Sequence, residues 1–224
     1  MADQVDELFS AIGAGDVEQV GRLSKKADVN AGRADEPTVK PIMAAAWTGK
    51  VAIGRLLRDA GADLNATDKA NNDVLSYAIE HPQFILFLEE NGLDIHRMRN
   101  GATFIGECIT TGLTIDGGLA DTVAFLVGRG VRPMAEEVEF VKKLSEPADI
   151  SPKAQFLMAV ADFPEQKRQG VFRPYARMAA LLESVPVRDH VDRGTITSLA
   201  DVTGKLKRGP RPQYTIAPAK RQPR

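Results

Sequence analysis

Apolar residues recur along the first 130 positions in short blocks at helical spacing. One set is Val17, Val20 and Leu23, followed by Val51, Ile53, Leu56 and Leu57; each reads as a helix with one buried face. A second set leads each unit: Leu8-Phe9-Ser10-Ala11, Pro41-Ile42-Met43-Ala44-Ala45-Ala46, Val74-Leu75-Ser76-Tyr77-Ala78 and Phe104-Ile105-Gly106-Glu107-Cys108. The leading residues Leu8, Ile42, Leu75 and Ile105 are 34, 33 and 30 positions apart. A polar phrase closes each unit: Lys26-Ala27-Asp28-Val29-Asn30-Ala31, Gly61-Ala62-Asp63-Leu64-Asn65-Ala66, Gly92-Leu93-Asp94-Ile95-His96, and a worn version at Gly130-Val131-Arg132-Pro133. Small residues such as Ala44–Ala46 let a short helix sit close to its neighbour. Gly15, Gly49 and Gly112 stand where a helix end wants a left-handed residue. One helix pair cannot bury its apolar face alone, so the pattern predicts four pairs packed on one another over residues 6–133.

The period then fades. Val138, Val141 and Leu144 predict a helix over Glu136–Leu144, and Ser151-Pro152 opens another that carries Phe156, Leu157 and Val160. Tyr175, Met178, Leu181 and Leu182 predict a third between Pro174 and Val185. Residues 134–185 read as a helical cap over the open end of the stack. An enzyme site hidden in this segment is the weakest alternative, since it contains neither His nor Cys.

Charge changes the picture at the C-terminal end. The chain nets −1, but residues 186–224 hold nine Lys or Arg against three Asp, and residues 1–185 hold 20 bases against 27 acids. Four prolines after Gly204 (Pro210, Pro212, Pro218 and Pro223) oppose a long helix there. An extended basic tail results, with Lys205, Lys207, Arg208, Arg211 and Tyr214 as its candidate contacts to an acidic partner or to nucleic acid. Ile196, Leu199, Val202, Leu206 and Ile216 interrupt the charge, so part of the tail is expected to lie against the body or a partner.

The quoted units resemble the ankyrin repeat family, whose unit is about 33 residues long. The clearest runs from Lys40 to Ala66, with Ala45-Ala46-Trp47-Thr48-Gly49 and Leu56-Leu57 where the family has Ala-Ala-x-x-Gly and Leu-Leu. The family's Thr-Pro-Leu-His phrase is altered in every unit, its threonine surviving only at Thr103, and Pro82 stands where a glycine is expected. Additional residues around Leu113–Gly118 predict distorted packing. The resemblance implies an all-α fold: an ankyrin repeat solenoid of stacked helix pairs (1–133), a helical C-terminal cap (134–185) and the basic tail (186–224).

The resemblance also implies where a partner would sit, on the inner-helix face and the loop tips. Carried over by position, the inner-face candidates are Trp47, Thr48, Glu80, His81, Thr110 and Thr111. The loop-tip candidates are Arg33, Asp35, Asn71, Asn72, Arg97, Arg99 and Asn100, with the arginines suited to an acidic patch. Trp47 has two open readings, a binding contact or packing between neighbouring helices.

Catalytic signatures are weak. Gly13-Ala14-Gly15-Asp16 lacks a third glycine and a preceding strand, and no phosphate-loop motif occurs. Asp189-His190-Val191-Asp192 lacks further ligands for a metal. Cys108, the only cysteine, falls where a small buried residue belongs and excludes an intrachain disulfide. The first residues lack the features of a signal peptide, and no apolar run approaches about 18 residues, so no membrane contact is expected. The sequence therefore leads to a cytoplasmic protein–protein interaction module, without enzyme activity, cofactor or metal. It would bind a folded protein as an inhibitor, immunity protein or adaptor. The alternative is a scaffold whose basic tail binds nucleic acid or an acidic partner.

Overall fold

A computed structural model describes residues 2–112, 119–145 and 175–188. The expected segment around Ser151–Phe163, the insertion at Leu113–Gly118 and the tail contacts Lys205, Lys207, Arg208, Arg211 and Tyr214 lie outside the described residues. The described chain is mostly helical, with one two-stranded hairpin. It divides into two compact units, the first ending at Leu93 and the second beginning at Asp94.

The first unit contains α1 (Ala2–Ala14), α2 (Val17–Leu23), α3 (Pro41–Trp47), α4 (Val51–Asp59), α5 (Val74–Tyr77) and α6 (Pro82–Glu90). Helices α1 and α2 pack together, as do α3 and α4; α3 also lies between α1 and α5, and α4 between α2 and α6. Each turn has a local cause. Gly15 and Gly49 adopt φ of 73° and 66°, a conformation that costs a side-chain-bearing residue about 1–2 kcal/mol. Asp16 caps α2 by accepting the Gln19 N–H at 2.8 Å. Pro41 and Pro82 begin α3 and α6, where a missing N–H is harmless. Pro82 thus replaces the expected glycine at the cost of a short α5, only four residues long. Leu8, Ile42, Ile53, Leu57, Phe84 and Leu88 are fully buried, each contributing roughly 1.5–3 kcal/mol of transfer free energy. Gly54 admits Phe84, whose Cζ would stand 2.8 Å from any Cβ at that position.

Hydrogen bonds between side chains and the next helix pair recur at a nearly constant sequence separation. Asn30 Nδ2 donates to the Gly61 carbonyl at 3.0 Å, and Asn30 Oδ1 accepts the Asp63 N–H at 2.8 Å. Arg58 Nη1 donates to Asn91 Oδ1 at 2.8 Å, 33 residues on. His81 Nε2 donates to the Trp47 carbonyl at 2.9 Å across 34 residues; a carbonyl can only accept, which fixes the proton on Nε2.

The second unit begins with a hairpin of β1 (Met98–Arg99) and β2 (Ala102–Thr103), paired antiparallel with Met98 opposite Thr103. Asn100 and Gly101 join them at φ of 53° and 79°, the left-handed pair that a two-residue turn requires. Next come α7 (Phe104–Gly112), α8 (Ala120–Gly128) and α9 (Ala135–Ser145), with α7 packed on both α8 and α9, and a helical stretch over 175–183. Helices stand where the spacing of Val138, Val141 and Leu144 and of Tyr175, Met178, Leu181 and Leu182 places them; Leu181 is half-buried and the other six side chains are buried. Tyr175 OH donates to the Ile109 carbonyl at 3.4 Å, and burial pushes its phenol well above the usual range.

Candidate functional site

The residues expected to meet a partner separate into exposed ones and ones the fold uses internally. Asp35 is exposed, its side chain 65% accessible, beside a half-buried Arg33 that pairs with it at 3.0 Å and with Asp6 at 3.8 Å. Arg33 also lines a cavity of about 290 Å3 with Gln4, Asp6, Lys26 and Asp28. Asn71 is exposed at a loop tip with φ of 60°. Asn72 corrects the expectation: it is buried, and its Nδ2 donates to Asp68 Oδ2 at 2.9 Å. Asp68 gathers that whole loop, also accepting the N–H groups of Ala70 and Asn72 and the Tyr77 hydroxyl. The loop is preformed by its own hydrogen bonds.

At the ends of the inner helices, Trp47 and Thr48 are half-buried and Glu80 is exposed. Thr48 Oγ1 donates to the Ala45 carbonyl at 3.1 Å, closing the last turn of α3. His81 is half-buried and occupied. Its ring bonds Trp47 and lies so close over Gly49 that a Cβ there would stand 2.6 Å from Nδ1. It joins two helix pairs, which is a different task from facing a groove. Thr110 is half-buried with its hydroxyl on the Gly106 and Glu107 carbonyls, and Thr111 is buried, so neither presents a free hydroxyl to a partner.

The largest correction concerns Arg97 and Arg99. Both turn inward onto Glu107, which is only 2% exposed. Arg97 Nη1 donates to Glu107 Oε1 at 2.9 Å and Nη2 to Oε2 at 3.3 Å, while Arg99 Nε reaches Oε1 at 2.8 Å. The Arg97 guanidinium also lies 5.1 Å over the Phe104 ring. Strand alternation explains this: residues 97 and 99 share one face, so Met98 points the other way. Met98 is 43% exposed, one of the most exposed large apolar residues among those described, and Asn100 is exposed at the turn beside it. The sequence carries the signal for this arrangement in Asn100-Gly101, a two-residue hairpin turn.

A second buried acid was not foreseen. Glu137 Oε1 accepts the Thr103 N–H at 2.8 Å, and its Oε2 accepts the Thr103 hydroxyl at 2.7 Å and the Met134 N–H at 3.0 Å. Burial raises its carboxyl above the ordinary 4.5, against the lowering effect of those three donors. The cue in the sequence is an acid in the first turn of a helix whose other core positions are Val138, Val141 and Leu144.

Cys108 is buried, and Gly13–Gly15 end α1. Among the described residues, no group of three or more His, Cys, Asp or Glu side chains could hold one metal ion, and no helix is long and apolar enough to cross a membrane. No protein-family model matches the chain.

Proposed function

We propose that the chain is an ankyrin-type repeat protein, its helix pairs stacked as a solenoid, that binds a folded protein through its loop tips. The carrying observation is the recurrence of side-chain ties 31 to 34 residues apart, from Asn30 to Gly61 and Asp63, from Trp47 to His81, from Arg58 to Asn91, and from Thr103 to Glu137. Contacts at a nearly constant separation are what a chain makes when each unit repeats the previous one and touches only its neighbour. Such a stack would expose one set of tips per unit, and hydrogen bonds within the loops shape these tips. Asp68 closes the loop below Asn71, and Glu107 holds the hairpin that carries Met98 and Asn100. A preformed loop loses little conformational freedom when it binds, so its few exposed side chains can count in full.

On this reading the contact residues are Asp35, Asn71, Glu80, Met98 and Asn100, with Trp47 and Thr48 at the margin. Arg97, Arg99, Asn72, His81 and Thr111 shape the surface from beneath. The protein works by occupancy, as an inhibitor or adaptor does, and uses no catalytic group.

Capture from the native source tests the proposal. The wild type is compared with Asp35→Lys, Met98→Asp and an Arg55→Glu control on the exposed side of α4. A partner held by wild type and control and weakened roughly tenfold by either tip substitution is the expected result. The same partners recovered equally by all four proteins would overturn it.

A further inference from the structure

The last two described helices are placed as a further helix pair would be. The residues just ahead of α3, α5, α7 and α9 are Lys40, Asp73, Thr103 and Met134, at steps of 33, 30 and 31. Helix α9 packs on α7 as α5 packs on α3, first helix against first helix. In its first turn Glu137 accepts the Met134 N–H, and it reaches back 34 residues to the Thr103 N–H, the separation at which His81 meets Trp47.

The 175–183 helix matches the second helix of the clearest unit. Met178-Ala179-Ala180-Leu181-Leu182 falls on Ile53-Gly54-Arg55-Leu56-Leu57, and both runs are buried, buried, exposed, half-buried and buried in that order. Its ties are those of a second helix as well. Glu183 pairs with Lys142 of α9 at 3.0 Å, and Arg177 with Asp121 of α8 at 3.1 Å, a water-exposed pair that marks position more than strength. The register holds past the helix, where Arg188 takes the place of Asp63. The Asp63 N–H bonds Asn30 and the Arg188 N–H bonds the Pro133 carbonyl, each at 2.8 Å and each in the closing phrase of the unit before.

We propose that residues 134–145 and 175–188 are a fifth unit of the same repeat, and that its second helix is a clasp closing the second compact unit. The inference rests on the repeat reading above and puts one more repeat in place of a separate cap. Residues 146–174, which lie outside the described residues, join its two helices. The clasp is fastened at both ends. Tyr175 is buried with its hydroxyl on the Ile109 carbonyl, and the Arg188 guanidinium reaches the His96 carbonyl at 2.9 Å. Helix α9 buries Val138, Val141 and Leu144 and exposes Ala135, Glu139 and Lys143, the last two paired at 3.4 Å. A polar outer side is what the terminal repeat of a stack requires. Because a repeat touches only its neighbours, loosening the clasp should weaken α7 and α9 and spare α3 and α4.

Hydrogen exchange on the full chain tests this, comparing wild type with Leu182→Asp and with Ala180→Asp on the exposed side of the same helix. In the wild type, 179–188 should be protected together with 138–144. Leu182 is 1% exposed, so an aspartate there buries an unpaired charge. It should speed exchange roughly tenfold or more across 138–144 and 105–111 and leave 42–57 unchanged, while Ala180→Asp alters none of these segments. Exchange of 179–188 at the rate of an unfolded peptide beside a protected α9 would overturn the clasp. So would a Leu182→Asp protein whose α9 is as protected as in wild type, or one whose loss spreads equally to 42–57. Should Leu182→Asp not fold, the wild-type Arg188 amide decides: protection matching α9 supports the register, and free exchange refutes it. No partner is needed for these measurements, so their failure is separate from a failure of the tips to hold a protein in the capture experiment.

Discussion

Removing the Glu107 carboxylate should destabilise the second unit more than removing either arginine. Glu107 is 3% exposed at its side chain and receives three charge-assisted hydrogen bonds, while Arg97 and Arg99 retain 16% and 14% exposure. Deleting one partner of a fully buried ion pair costs about 3–5 kcal/mol. Here the two arginines can recover some hydration at the surface, which places Glu107→Ala at about 3 kcal/mol, the lower end of that range. For a chain of this size that is a fall of roughly 6–12 °C in Tm. Arg99→Ala leaves the Arg97 fork in place and should cost only about 1.5 kcal/mol, the loss of one hydrogen bond to a charged group. Once Glu107 is gone, the Arg99–Glu107 bond is already lost, so the double variant should be worse than Glu107→Ala by less than Arg99→Ala costs alone. The expected coupling is about 1–1.5 kcal/mol. Trp47, the only tryptophan, lies in the first unit, so the unfolding should be followed by far-UV circular dichroism and by hydrogen exchange of residues 97–112. Single-variant costs that add to within about 0.5 kcal/mol would refute a shared network.

Two substitutions probe the remaining contacts. Asn30→Ala removes the ties to the Gly61 carbonyl and the Asp63 N–H, and should cost about 1 kcal/mol because the site is open to water; unchanged exchange at the Asp63 amide would show that the tie is idle. Gly106→Ala should cost about 1–3 kcal/mol by overpacking against Glu137, and should shift the Thr103 and Met134 amides. Gly61→Ala has open space around its Cβ and only the strain of φ 91°, so it should cost about 1 kcal/mol and leave those amides alone.

These cases show why the sequence discloses the scaffold more readily than the surface. The helices follow from local spacing: Val51, Ile53 and Leu57 turn one side of α4 inward whatever else the chain does. The 34-residue and 33-residue steps between Leu8, Ile42 and Leu75 have a counterpart in the structure, where Asn30 reaches Asp63 and Arg58 reaches Asn91, each 33 residues on. Surface roles depend on a different length scale. Arg97 and Arg99 read as surface cations because their partner, Glu107, is 8 to 10 residues away in a helix position where the corresponding residues are the uncharged Ser10, Ala44 and Tyr77. Only the turn at Asn100-Gly101 sets residues 97 and 99 on the inner face and leaves Met98 outside. Asn72 and His81 read as contact candidates for the same reason. A polar side chain in a turn is as well suited to bind its own backbone as a partner's, and the choice is made by Asp68 and by the Trp47 carbonyl. A buried acid here therefore carries more information about the surface than the exposed charges do. Glu107 identifies which arginines the fold takes up, and by subtraction it leaves Met98 and Asn100 as the exposed part of the hairpin.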